Sequence, residues 1–151
     1  KYGRKILNIR IYTLAALVAL SFSSAARSQP GVDVFNRFLT SFTNSDAESI
    51  VGLFSEDAIF WGTGSQILVK DTAGIIEYFS VMNGRPPGHW VASALDYTVL
   101  ELSENSVLVS GMWQVTPTGQ TNSTPLRVSM ALALRNGQWK IVQFHNSRVP
   151  E

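Results

Sequence analysis

The chain has no cysteine. That removes disulfides, thiolate nucleophiles and lipid-modified cysteine from the range of possible chemistries. Histidine is nearly as scarce: His89 and His145 are the only two, and no close ligand spacing joins them, so no metal site is expected. Long apolar runs are missing too. Ile11 to Phe22, broken by Tyr12, Thr13 and Ser21, falls short of the ~20 residues that cross a bilayer as a helix. Nucleotide loops are absent in the same way. Gly62-Thr63-Gly64-Ser65 lacks the Lys-Ser/Thr of a phosphate loop, and Ser65 is not in a Gly-x-Ser-x-Gly elbow. No Gly-x-Gly-x-x-Gly follows a strand, so no nicotinamide, flavin or other cofactor is expected.

What is present begins with a basic leader. Lys1, Arg4, Lys5 and Arg10 precede the short apolar stretch, and the small residues Ser23-Ser24-Ala25-Ala26 follow it. This is the layout of a secretory signal peptide. Residues 1–28 are therefore expected to be the leader and 29–151 a single domain, large enough to bury a core without staples. From Arg27 onward, eight basic residues face eleven acidic ones, a net charge of −3 against +1 for the whole chain. The basic balance belongs to the leader and does not indicate nucleic-acid binding. A periplasmic or secreted protein is expected, with no membrane contact after cleavage.

Hydrophobic spacing predicts a first helix through Val32, Phe35, Phe38, Leu39 and Phe42 that ends near Thr43. Ser45-Asp46-Ala47-Glu48 matches a capping box for a short second helix, which Ser55-Glu56-Asp57 ends. Ala58 to Trp61 and Ile67 to Val69 read as short strands, and Asp71 caps a third helix that Gly84 closes. Four long strand-like runs follow, His89–Leu102, Ser106–Val115, Leu126–Arg135 and Gln138–Ser147. Helices first and a strand meander afterwards is the α+β pattern, with helices packed on one face of a curved sheet. Asn136-Gly137 between the last two runs predicts a hairpin with a type I′ turn. Strict alternation then places Met130, Trp139, Ile141, Gln143 and His145 on one face and Arg127 on the other. Both faces are apolar near the turn, so this pair is expected inside the sheet and covered on both sides.

Leu53-Phe54-Ser55-Glu56-Asp57-Ala58-Ile59-Phe60-Trp61, the later helix, and the ending Asn-Gly-Gln-Trp-Lys-Ile-Val-x-x-His-x-Ser resemble the nuclear transport factor 2-like superfamily. Phe60-Trp61-Gly62-Thr63 and the set Gly137, Trp139, Val142, His145 and Ser147 are most similar to bacterial relatives of the calcium/calmodulin-dependent protein kinase II association domain, SnoaL-like proteins among them. The resemblance covers roughly 32–150. It implies a cone-shaped, cystatin-like fold in which N-terminal helices sit in a strongly bent antiparallel sheet. A pocket lies between helices and sheet, and the outer sheet face commonly pairs with a second subunit. The superfamily spans isomerases, cyclases, dehydratases and pure assembly modules, so the fold leaves function open.

The inward face assigned to His145 makes it a ligand contact or a weak candidate for proton transfer, with Met130 and Gln143 as neighbours. Arg127 resembles an arginine of bacterial members, and a guanidinium can grip a carboxylate; alternation separates it from His145 unless a bulge intervenes. Trp61, Tyr78, Trp90 and Trp113 are candidates to line an apolar cavity, or simple core. An inward Asp96 could be the base of an isomerase, ahead of Glu101. Asp57 reads as structural. The expected function is an exported, oligomer-forming module, a homodimer or larger, that binds a small, partly apolar ligand, anionic ones included. The alternatives are a cofactor-independent isomerase, cyclase or dehydratase, and a ligand-free assembly hub.

Overall fold

A computed structural model describes residues 28–150. The expected leader lies outside the described residues except for Ser28. Helix α1 covers residues 28–43. It is followed by α2 (Ala47–Val51), β1 (Phe54–Trp61), α3 (Thr72–Phe79) with a 3₁₀ turn (Ser80–Met82), and four long strands, β2 (Trp90–Ser103), β3 (Ser106–Pro117), β4 (Thr124–Arg135) and β5 (Gln138–Arg148). The strands form one sheet in the order β1-β5-β4-β3-β2. The β4–β5 hairpin is interior to it, as its two apolar faces require. Asn136 and Gly137 both have positive φ, 52° and 77°, the requirement of the type I′ turn.

Four local readings change. The cap of α2 is Asp46, whose carboxylate accepts from the Ser49 N–H at 2.9 Å, rather than Ser45, which takes a left-handed φ of 55°. The Ser49 hydroxyl, and then this N–H, hold the Asp46 carboxyl below its ordinary pKa. Second, Ser55, Glu56 and Asp57 are strand, not helix end, because α2 stops at Gly52 and the chain is already extended at Phe54. Third, β1 pairs with β5 in parallel, so the sheet is mixed, with antiparallel pairing elsewhere. Fourth, Val69 adds a single bridge to Phe60 rather than a strand.

The concave face of the sheet receives α1 and α3. Phe38 packs edge-on to Trp113 at 5.5 Å between centroids and against Phe144 at 5.3 Å. Phe60 stacks on Phe144 at 5.2 Å. These fully buried rings form the centre of the core, where ring-edge contacts add to the area taken from water. The end of α1 is tied to the sheet by the Ala92 N–H, which donates to the Thr43 hydroxyl at 3.0 Å.

The ladders are irregular at several points, at Leu102 and between Phe54 and Ile59 among them, and two inserted residues set the faces near the cavity. In β5, Ile141 opposes Leu132 while Gln143 opposes Ala131, so Val142 is extra. In β2, Ala94 opposes Trp113 and Asp96 opposes Met112, so Leu95 is extra. A bulge reverses the parity of every residue beyond it. Gly111 lies opposite Tyr97, just past the Leu95 bulge. A Cβ there would collide with the Asp96 carbonyl and the Tyr97 Cα, so β2 and β3 approach as they do because that side chain is missing. Gly111→Ala is expected to destabilise the protein by about 1–3 kcal/mol through this overlap, read as a lower urea midpoint; an unchanged midpoint would show that the strands part freely.

Candidate functional site

The concave face does not close completely on the helices. A cavity of about 390 Å³ remains between α1, α3 and the far ends of the long strands. Phe38 and Phe42 reach it from α1, Tyr78 and Phe79 from α3, Trp90, Trp113 and Leu126 from the meander, and Phe144 and Asn146 from β5. Thr63 from the turn after β1 completes the polar side, and the exposed Thr124 and Arg148 stand at its edge. Apart from Arg148 and the Tyr78 phenol, no titratable side chain lines it.

The polar wall is built from one hydrogen-bond chain, buried at Trp113 and Asn146 and half-buried at Thr63. Trp113 Nε1 donates to Asn146 Oδ1 at 2.8 Å, and Asn146 Nδ2 donates to Thr63 Oγ1 at 2.6 Å. Trp113 is 1 % exposed and Asn146 is 8 % exposed, so an unanswered indole N–H here would forfeit its hydration without return. The Tyr78 ring is held in place from behind: a Cβ on Gly62 would run into it, and it lies edge-on to Phe60 at 4.7 Å. At the cavity's other end Arg85 stacks over the Trp90 ring, 4.1 Å from its centroid.

Of the residues singled out from the sequence, Tyr78, Trp90 and Trp113 line this cavity. Met130 is fully buried in the core behind it. Trp61, Gln143, His145, Arg127 and Asp96 lie on the convex side. The Val142 bulge turns Phe144 and Asn146 inward and carries Gln143 and His145 outward, which corrects the alternation that placed both on the inner face. The same bulge puts His145 and Arg127 on one face, the outer one. There the register forms two neighbouring rows, Thr98–Ser110–Ser129–His145–Trp61 and Asp96–Met112–Arg127–Ser147. Asp96 is therefore outward as well, whereas Glu101 shares the inner face with its buried partner Val107, toward the opposite end of β3 from the cavity. Asp57 is exposed on β1, 3.6 Å from Arg135. The Ser55 hydroxyl, more than this cation, holds its carboxyl below the ordinary pKa.

Asn146, Thr63 and Arg148 were not anticipated. Asn146 adjoins His145, and without the bulge its position reads as outward. Thr63 sits in a Gly-Thr-Gly turn that carries no recognisable ligand motif. Among the described residues no group of three or more metal-ligating side chains comes together, and no helix is long and apolar enough to cross a membrane.

A model of the SnoaL-like domain matches residues 32–151. The chain belongs to the SnoaL-like domain family. Solved structures agree on a nuclear transport factor 2-like, cystatin-like fold. A Pseudomonas putida protein of unknown function, described as nuclear transport factor 2-like, superposes with a TM-score of 0.74 at 16 % identity, over 85 % of this chain and 89 % of that one. A Xanthomonas campestris protein, provisionally named a calcium/calmodulin-dependent protein kinase II association domain, gives 0.70 at 20 % identity, over 80 % and 86 %. A Novosphingobium aromaticivorans protein, provisionally named a scytalone dehydratase, gives 0.66 at 11 %, over 86 % and 89 %. No curated protein matches.

Asn146→Leu keeps the bulk but leaves the Trp113 N–H and the Thr63 hydroxyl without their partner. A loss of about 1–3 kcal/mol in urea-denaturation stability is expected. A change under about 0.5 kcal/mol would show that water answers the indole instead.

Proposed function

We propose that this SnoaL-like protein is an exported, self-associating module that binds a small, largely apolar ligand in the cavity between its helices and the concave face of its sheet. The observation that carries this reading is the cavity itself: about 390 Å³, walled mainly by aromatic rings, with a short polar wall at Asn146 and Thr63. That composition, apolar walls and a few fixed polar groups, is the usual one for small-molecule sites. An isomerase, cyclase or dehydratase has less support, because the lining offers no carboxylate or imidazole as base, and Asp96 and His145 lie on the other side of the sheet. A ligand-free hub would give the cavity no use.

The test is a thermal-shift screen with one- and two-ring metabolites, repeated on Thr124→Trp. Thr124 is exposed at the cavity edge, so the indole should block entry without disturbing the core. A ligand at a hundredfold excess over its Kd stabilises the native state by about 2.7 kcal/mol. Hits on the wild type that vanish in Thr124→Trp are the expected outcome; hits that persist in it place binding elsewhere.

Self-association rests on the outer face. Ile59, Trp61 and Leu100 are 40 %, 38 % and 57 % exposed there, in adjoining rows with the small residues Ser110, Ser129 and Ala131 that let another surface come close. One structural neighbour carries the name of an association domain, in keeping with a second copy on this face. The leader-like start supports export to the periplasm or beyond. Sedimentation at micromolar concentration is expected to show a dimer or larger, and Ile59→Lys a monomer. A monomeric wild type removes the self-association reading and leaves the cavity untouched.

A further inference from the structure

Building on the cavity-binding reading above, we infer that the ligand is an aromatic carboxylate, its rings among the aromatic walls and its carboxylate held by Thr63, Asn146 and Arg148. The chemistry of the hydrogen-bond chain fixes its direction. An indole N–H can only donate, so the atom that Trp113 meets at 2.8 Å must be the Asn146 oxygen. The Asn146 nitrogen is therefore the one facing Thr63, and the Thr63 oxygen is an acceptor there, at 2.6 Å. The Thr63 hydroxyl hydrogen and the second hydrogen of the Asn146 amide remain. Neither has an acceptor among the described residues, though Asn146 is 8 % exposed and both residues line the cavity. A wall buried at Asn146 and half-buried at Thr63, with donors that no protein group takes up, offers them to an acceptor on the occupant, and the preceding bonds polarise the terminal O–H toward it.

Arg148 adds charge to that demand. It follows Asn146 by two residues on the same face of β5, roughly 7 Å along the strand, and lines the cavity. No carboxylate pairs with it among the described residues. A planar carboxylate is the acceptor that a guanidinium and a neutral O–H can share. The body of the ligand follows from the walls. A cavity of ~150 Å³ takes benzene, and this one, at about 390 Å³, has room for two rings among Phe42, Tyr78, Trp90 and Phe144.

The experiment is calorimetric titration of the protein with 2-naphthoate, 2-acetylnaphthalene and 2-ethylnaphthalene, which share a ring system and differ in the acceptor. The expected order of affinity is naphthoate, then the ketone, then the hydrocarbon, with about tenfold at each step. Thr63→Val should weaken naphthoate and the ketone about tenfold and leave the hydrocarbon unchanged, while Thr63→Ser restores both. Arg148→Gln should weaken naphthoate alone and remove the salt dependence of its binding. Hydrocarbon binding as tight as naphthoate, or naphthoate indifferent to Thr63→Val, overturns the acceptor assignment and leaves the cavity a binding site. Equal affinity for ketone and naphthoate overturns the carboxylate. If none of the three binds, the cavity-binding reading fails and this inference with it.

Discussion

Trp113 brings an indole N–H into the concave side of the sheet, and Asn146 Oδ1 answers it 2.8 Å away. Much of the molecule is arranged so that this bond can exist. Trp113 is fixed by Phe38 and Phe42 packed against its ring, so the acceptor has to come to it. Asn146 is delivered by β5, and it points inward because Val142 is an extra residue in that strand. With a regular ladder a histidine would take the inward position and the amide would face outward, leaving the indole donor buried and unanswered. The bulge, the amide and the indole form one arrangement, since moving any one orphans a polar group in an apolar surround.

The same arrangement keeps the cavity open. Around Phe38 the rings of Phe79 and Trp113 meet it edge to face and that of Phe144 lies tilted against it, all of them buried. Toward Asn146 the wall turns polar, and groups already committed to one another cannot slide inward to close a gap. Tyr78 lies in the space that a Gly62 side chain would take, against that glycine on one side and Phe60 on the other. Rings that are locked from behind leave space in front, and the proposed site would meet an occupant already pre-organised.

The two faces of the sheet have accordingly taken different roles. The concave face holds the core and the cavity. The convex face collects the residues whose chemistry looks most active in the sequence, His145, Arg127 and Asp96, alongside exposed Ile59, Trp61 and Leu100. Charge, imidazole and apolar surface together at an open sheet face suit contact between proteins, where mixed composition is normal. In this molecule reactive side-chain types and the cavity lie on opposite sides of a single layer.

Sequence by itself determined the elements and their order. The period of Phe35, Phe38 and Phe42 specifies a helix, Asp71 is its own evidence for a cap, and Asn136-Gly137 dictates a tight hairpin, because each signal acts over a few residues through backbone dihedrals and local hydrogen bonds. Size and apolarity marked Trp61, Tyr78, Trp90 and Trp113 alike as cavity or core candidates; the last three line the cavity and Trp61 lies on the outer face. The parallel pairing of β1 with β5, the cap at Asp46 rather than Ser45, and the face taken by each residue after Val142 were decided by the tertiary structure. A bulge has no local sequence signature here: Ile141, Val142 and Gln143 all accept extended backbone. What selects the insertion is the need of a distant indole for an acceptor and of Phe144 for the core. Such a need exists only once the strands are assembled, and so it was the folded sheet, not the order of residues along β5, that placed Asn146 in the site and His145 outside it.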